Sequence, residues 1–215
     1  MKNTFILFLL LLLASPMAIA QEKKAKPKGR DYLITIETAF GNIELVLFDE
    51  TPQHKENFLK LAKSGFYDGT TFHRIIKNFM IQGGDPNSKN SNANDDGAGG
   101  PGYTVPAEFL PNRKHVLGAL AAARMGDNVN PKKESSGSQF YLVENPSGTH
   151  FLDSNYTVFG QTVMGIDVIH KIAEQPKGMS DRPLKDITMK VKVQKMRRKK
   201  IAERYNYDFD NQPSN

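Results

Sequence analysis

Phe72-His73-Arg74-Ile75-Ile76, followed after two residues by Phe79-Met80-Ile81-Gln82-Gly83-Gly84-Asp85, is the stretch on which the reading of this chain turns. It sets one permanently charged guanidinium and one neutral amide among large apolar side chains, with no partner acid, thiol or metal ligand beside them. An arginine stays protonated at every relevant pH, and its planar fork can reach two acceptors at once. Such a pair suits holding an uncharged substrate and polarising it without breaking a bond. The two apolar runs fit short strands, over 71–76 and 79–82.

Working outward, the same short-strand texture continues on both sides. Upstream, Leu33, Ile34 and Ile36 precede a turn at Phe40-Gly41-Asn42, and Ile43, Leu45 and Leu47 fall in step after it; the period of two predicts a hairpin. Thr51-Pro52 then opens a helix, with Thr51 as N-cap and Pro52 at the first helical position, where a missing N–H costs nothing. Phe58, Leu59, Leu61 and Ala62 supply its apolar face, and Gly65 ends it. Downstream, strands are expected over 116–121, 139–143, 157–163 and 187–194, and a second short helix over 165–173, where Ile166, Ile169 and Ile172 recur at helical spacing. Many short strands parted by Gly, Pro and Asn turns, with only two helices, make the fold class mainly β and point to a closed antiparallel barrel, although β-sandwiches give similar strings. Two stretches read as loop insertions: 87–102, rich in Asn, Asp and Gly, and 126–136, which is polar.

The ends differ in kind from this middle. Lys2 precedes an apolar run from Phe5 to Ala14, then Ser15-Pro16 and the small-residue site Ala18-Ile19-Ala20 before Gln21. That pattern is a secretory signal peptide over 1–20, cleaved after Ala20, and the run is too short to span a bilayer comfortably. An uncleaved anchor is the alternative. Residues 21–30, QEKKAKPKGR, read as a flexible linker, 31–195 as one domain, and 196–215 as a basic and polar tail opening on Met196-Arg197-Arg198-Lys199-Lys200. Lys2 is the only charge in the first 20 residues, so their removal lowers the formal net charge from +6 to +5. This mild excess does not imply nucleic acid, whose binders concentrate charge on one face. The chain has no cysteine, which excludes disulfides, thiolate catalysis and thiolate zinc sites.

Together with Gly137-Ser138-Gln139-Phe140-Tyr141 and Phe151-Leu152-Asp153, the central stretch resembles the cyclophilin family of peptidyl-prolyl cis–trans isomerases, from about Asp31 to Lys195. The resemblance implies an eight-stranded antiparallel barrel capped by two α-helices, and catalysis of rotation about X–Pro bonds in unfolded or extended polypeptides, with no cofactor. It makes Arg74 and Gln82 the catalytic pair. Ile76, Phe79, Met80, Ala123, Arg124, Gln139, Tyr141, Phe151, Leu152 and Tyr156 become the substrate-binding residues. Phe151 stands where members that bind the cyclosporin type of inhibitor strongly have tryptophan, so weak drug binding is implied. Ala122 replaces a larger methionine, Tyr141 a phenylalanine, and Tyr156 a histidine of many eukaryotic members. With the signal peptide and the missing cysteine, this variant looks bacterial, and the expected setting is a monomer in the periplasm.

The rotation chemistry is consistent with these residue types. Turning a peptide bond sacrifices amide resonance, a barrier of about 18–20 kcal/mol, and the twisted state leaves a localised lone pair on the prolyl nitrogen. A donor aimed at that lone pair stabilises the twisted state selectively. Other readings stand beside this one. Arg74 taken alone fits a structural ion pair on a strand, and Phe79, Met80, Tyr141 and Phe151 fit a core. His73 reads as a satisfied structural histidine. Asn92, Asn94, Asp96 and Gly97 fall at calcium-loop positions, yet the twelfth position is Tyr103 instead of glutamate, so no metal is expected. The groove also fits a proline-peptide-binding holdase or scaffold in which turnover is incidental. The basic run, Arg197 to Lys200, also fits attraction to an anionic envelope surface or to nucleic acid.

Overall fold

The computed structural model describes residues 27–209. The expected signal peptide over 1–20, most of the linker over 21–30 and the end of the tail, 210–215, lie outside the described residues.

The predicted hairpin forms between β1 (Arg30–Thr38) and β2 (Gly41–Leu47). Its turn is closed by Thr38, whose hydroxyl accepts from Phe40 N at 3.1 Å and donates to the Gly41 carbonyl at 2.9 Å. Gly41 has φ 127°, and a Cβ there would meet Val168 Cγ2 at 3.0 Å, so the position needs glycine for both conformation and space. Helix α1 (Pro52–Lys63) starts where expected, but Thr51 does not cap it. With φ −118° and ψ 64° its hydroxyl turns back to the Phe48 carbonyl, 3.4 Å away. The first-turn N–H groups of Gln53 and His54 instead reach the Glu108 carboxylate, each at 3.0 Å, an acid at the positive end of the helix dipole.

The remaining strands are β3 (Arg74–Ile76), β4 (Met80–Gly83), β5 (Thr104–Val105), β6 (Ala119–Ala122), β7 (Ser135–Ser136), β8 (Phe140–Val143), β9 (Val158–Met164) and β10 (Lys190–Arg197), with α2 (Ile166–Ala173) between the last two. Eight of them make one antiparallel sheet in the order β10-β1-β2-β9-β6-β8-β4-β3, and β5 pairs with β7 separately. The ladder does not continue from β3 to β10. Between those ends the backbone makes an isolated bridge, Thr71 to Thr188, with Phe72 N donating to Ile187 O at 3.0 Å and Met189 N to Thr70 O at 2.8 Å.

Alternation sorts the side chains into two faces. Ile34, Ile36, Ile43, Leu45, Ile75, Ile81, Leu120, Phe140 and Leu142 form the core with Phe58 and Leu61 of α1 and Val168, Ile169 and Ile172 of α2. The alternate residues of β4, β6 and β8, namely Met80, Ala119, Ala121, Tyr141 and Val143, gather on the opposite face with Phe48, Ala123 and Val158. Burying each large side chain is worth roughly 1.5–3 kcal/mol, and a slip of one residue would exchange the faces, so the register is strongly fixed.

A third helix, α3 (Arg198–Tyr205), stands where a solvated basic tail was expected from residue 196. Ile201 is buried against Leu33, Val46 and Met196, on the face of β1 and β2 turned away from the core. Arg198 contacts Asp31 at 2.8 Å and also Asp49, and Lys55 of α1 reaches both acids at 2.7 Å. The polar composition of the run concealed this docking, which Ile201 and the ion-paired Arg198 carry together with the partly buried rings of Tyr205, Tyr207 and Phe209.

Candidate active site

The strand register builds the site. A tight turn with Asn78 at φ 59° joins β3 to β4 and sets Arg74 opposite Gln82 and Ile76 opposite Met80. Gln82 pairs in turn with Tyr141 of β8, and Tyr141 with Ala121 of β6. Arg74, Gln82, Tyr141 and Ala121 therefore form one row across four strands, all on the face away from the core. Over this row opens a cleft of about 130 Å³ lined by Arg74, Phe79, Met80, Gln82, Ala123, Arg124, Tyr141, Leu152 and Tyr156. A wider groove of about 690 Å³ shares Gln82, Ala123 and Arg124 with it and runs on along Gly97, Gly99, Met125 and Glu134.

Polar side chains fix the walls. Gln139 Nε2 donates to the carbonyls of Gly97 and Gly99, at 2.9 and 2.8 Å, so its Oε1 is free to accept from Gln82 Nε2 at 3.0 Å. This leaves Gln82 Oε1 as the acceptor for a peptide N–H. The glycine-rich loop is held from beneath by Asp85, whose carboxylate accepts from Asn87 N at 2.8 Å, from Gly99 N at 3.2 Å and from Gly97 N. Gly84, at φ 85°, lets the chain pass: a Cβ there would lie 2.5 Å from the Ser138 carbonyl.

Tyr141 is buried and its hydroxyl sits 2.9 Å from His115 Nε2, while His115 Nδ1 sits 2.8 Å from Asp153 Oδ1. Asp153 fixes the tautomer: Nδ1–H donates to the carboxylate, and Nε2 accepts from the phenol. Burial raises the Tyr141 pKa well above its ordinary value and lowers that of His115, outweighing the pull of Asp153 on the ring. Burial also acts to raise the Asp153 pKa, but hydrogen bonds from the backbone and ring of His115 and from His150 outweigh it, so the carboxyl stays below its ordinary range. Both rings are therefore neutral near pH 7, and the pair buttresses the cleft floor without carrying charge.

Most of the expected residues meet at the cleft, with four qualifications. Ile76 packs beneath it, half-buried, and does not line it. Gln139 stands one step behind Gln82. Phe151 is 72% exposed and stacks on Phe79 with ring centroids 5.8 Å apart, so it extends the rim. Arg124 lines the wall, but its guanidinium is already committed to the carbonyls of Asn155 and Met125 and to Asp127, and it lies over the Tyr156 ring. Ala122 faces the core, so replacing a methionine there does not enlarge the cleft. His73 departs from the expectation of a satisfied ring: it is buried and neither nitrogen makes a hydrogen bond of good geometry. Burial lowers its pKa, with Asp85, Asp96 and the Thr71 backbone acting the other way. Arg74 itself is 42% exposed, and its one charged partner among the described residues is Asp181, with Nε 3.8 Å from Oδ2. Sequence reasoning did not single out His115, Asp85 or Asp181. Asp153 and Asp85 were present in the quoted motifs, but only contacts across 38 and 12 residues give them work.

The chain is similar in sequence and in fold to known proteins. The family model described as cyclophilin type peptidyl-prolyl cis-trans isomerase/CLD matches residues 33–193. Peptidyl-prolyl cis-trans isomerase CYP18-1 of Arabidopsis thaliana is 38% identical over 161 residues, covering 73% of this chain and 91% of the relative. A peptidyl-prolyl cis-trans isomerase-like 2 of Rhizopus delemar is 37% identical over 175 residues, which span 78% of this chain but only 29% of that longer protein. Among solved structures, a cyclophilin type peptidyl-prolyl cis-trans isomerase of Cryptosporidium parvum superposes with a TM-score of 0.67 at 30% identity, covering 77% of this chain and 98% of that one. The same Cryptosporidium protein has also been crystallised in the presence of the dipeptide Ala-Pro.

Proposed function

Because the chain belongs to the cyclophilin-type peptidyl-prolyl cis–trans isomerases, we propose that it turns X–Pro bonds by polarising the prolyl nitrogen from Arg74, without a covalent intermediate, in polypeptides outside the cytoplasm. The observation that carries this reading is the row of Arg74, Gln82 and Tyr141 along one apolar cleft. The guanidinium meets the lone pair that appears only as the amide twists, so the interaction lowers the barrier and does not merely tighten binding. Gln82 holds the backbone of the substrate. Met80, Phe79 and Leu152 grip the proline ring, and methionine adapts its shape to both isomers. A cleft of about 130 Å³ has room for one small ring. The Ala-Pro dipeptide used with the Cryptosporidium relative supports proline-containing chains as the substrate class.

Two parts of the proposal rest on other support. Export to the periplasm is read from residues 1–20. Closure of the sheet into a barrel is read from the hydrogen bonds that join residues 70–72 to 187–189. Relaxation of a short Ala-Pro peptide from cis to trans tests the mechanism. Arg74→Ala is expected to lower kcat/KM by about 100-fold, as loss of one preorganised donor does, with an unchanged circular dichroism spectrum. A folded Arg74→Ala protein with full activity discards the mechanism. If cellular clients are protected equally well by that inactive variant, the holdase reading replaces it.

A further inference from the structure

The loop between α2 and β10 holds charges that the mechanism above leaves unused. Ser180 and Asp181 both adopt left-handed backbone, at φ 56° and 61°, a region that residues with a Cβ avoid unless their surroundings over-determine it. Here the surroundings do so. Gly178 N donates to Arg182 O at 2.8 Å, Arg182 N donates to Met179 O at 3.2 Å, and Lys177 forms a backbone bridge with Pro183. Side chains then anchor the loop on two sides. Lys177 Nζ donates to Asp181 Oδ1 at 2.7 Å and to the carbonyl of Ile75, the neighbour of Arg74, at 3.1 Å. Arg182 Nε donates to Asp96 Oδ2 at 2.6 Å, which ties this loop to the glycine-rich one whose Gly97 carbonyl holds Gln139 and, through it, Gln82.

At the centre of these ties, Asp181 Oδ2 lies 3.8 Å from Arg74 Nε. Among the described residues no hydrogen-bond acceptor takes up the two terminal nitrogens of Arg74. We infer that Asp181 is a positioning residue for the isomerisation: its charge draws the Nε edge of the Arg74 guanidinium toward it and leaves the terminal amino groups to the cleft. The inference rests on the role of Arg74 proposed above. A long, half-exposed arginine otherwise samples many rotamers, and most of them carry the donor away from the amide. The closest partner of the acid is Lys177, and 3.8 Å is an ion-pair distance beyond hydrogen bonding. Asp181 therefore biases the orientation of Arg74 without cancelling its charge.

Asp181→Asn removes the charge while keeping the shape, and asparagine tolerates left-handed backbone. The expected result is a fall in kcat of about 10-fold at unchanged KM, the signature of lost alignment. In the same peptide assay the Arg74→Ala, Asp181→Asn double variant is no slower than Arg74→Ala alone. Arginine-selective nitrogen labelling adds a readout that a merely structural role would not move: the Arg74 Nε–H signal, restrained in the parent, becomes averaged in Asp181→Asn while the backbone amide spectrum is kept. Asp181→Gly, also at ease in this conformation, takes the same tests if the first variant does not fold. If Asp181→Asn keeps kcat within two-fold while Arg74→Ala loses activity, the positioning role is overturned and that of Arg74 stands. If Arg74→Ala stays active, both fall. A double variant slowed by the full product of the single effects also overturns the inference.

Discussion

Tyr141 puts a polar hydroxyl at the floor of an apolar cleft, and the site tolerates it because the hydroxyl is spent. Its proton goes to His115 Nε2, and the other ring nitrogen is spent on Asp153. A buried hydroxyl without such a partner would cost about 1–3 kcal/mol. Tyr141→Phe returns the site to the aromatic ring implied by the family resemblance but strands His115 Nε2 in a buried position. Stability measured by urea unfolding is expected to fall by about 1–2 kcal/mol, with kcat/KM on a proline peptide within two-fold of the parent; a ten-fold loss of activity would instead place the hydroxyl in the chemistry. At this scale the sequence was partly legible. The motif residues Arg74, Gln82, Phe79, Met80 and Tyr141 were recognisable because each is a local string of distinctive side chains. His115, Asp153, Asp85 and Asp181 were not, because their work depends on partners far along the chain that no local pattern identifies.

Elements were legible wherever side-chain period and burial agree. The β1–β2 hairpin and the apolar faces of α1 and α2 follow from alternation and helical spacing and form as expected. Element edges moved where polar tertiary contacts overrule local preference: Glu108 caps α1 in place of Thr51, and β10 runs on to Arg197. Helix α3 went unread because its composition is that of a solvated tail. Its docking is nonetheless specific, with Ile201 on Leu33 and Val46 and Arg198 on the buried Asp31. Truncation after Lys195 uncovers that apolar face and leaves Asp31 with Lys55 alone. The expected cost is about 3 kcal/mol from lost burial, or a fall in Tm of roughly 6–12 °C for a domain of this size. Turnover per folded molecule stays within two-fold, since α3 packs on β1 and β10. A truncated protein with an unchanged Tm would show that α3 is only resting on the sheet.

Across the whole molecule, His54, His73 and His115 are all buried with lowered pKa values, burial being the first cause in each. The unfolded chain regains the ordinary value near 6.5. Below that pH the unfolded state binds protons that the folded state refuses, so stability is fully present above about 6.5 and falls as pH drops toward the lowered values. Each ring contributes up to about 1.4 kcal/mol per pH unit across its window. Thermal unfolding is expected to show a clear drop in Tm between about pH 7 and about pH 5, and a flat profile would mean that the rings are hydrated and free to ionise. The mainly β class and the eight strands of the main sheet were readable at this scale, while the order of strands was not, because pairing between β1 and β10 spans nearly the whole domain. That pairing has a practical corollary. Arg30 faces Arg197, and Arg198 N donates to Gly29 O at 3.1 Å, so entry and exit of the domain sit side by side. A short glycine bridge should therefore weld them in a form that gives up α3 and its stabilisation, and the polypeptide can be reopened at the exposed turn of Pro111 and Asn112, which line neither cleft nor groove.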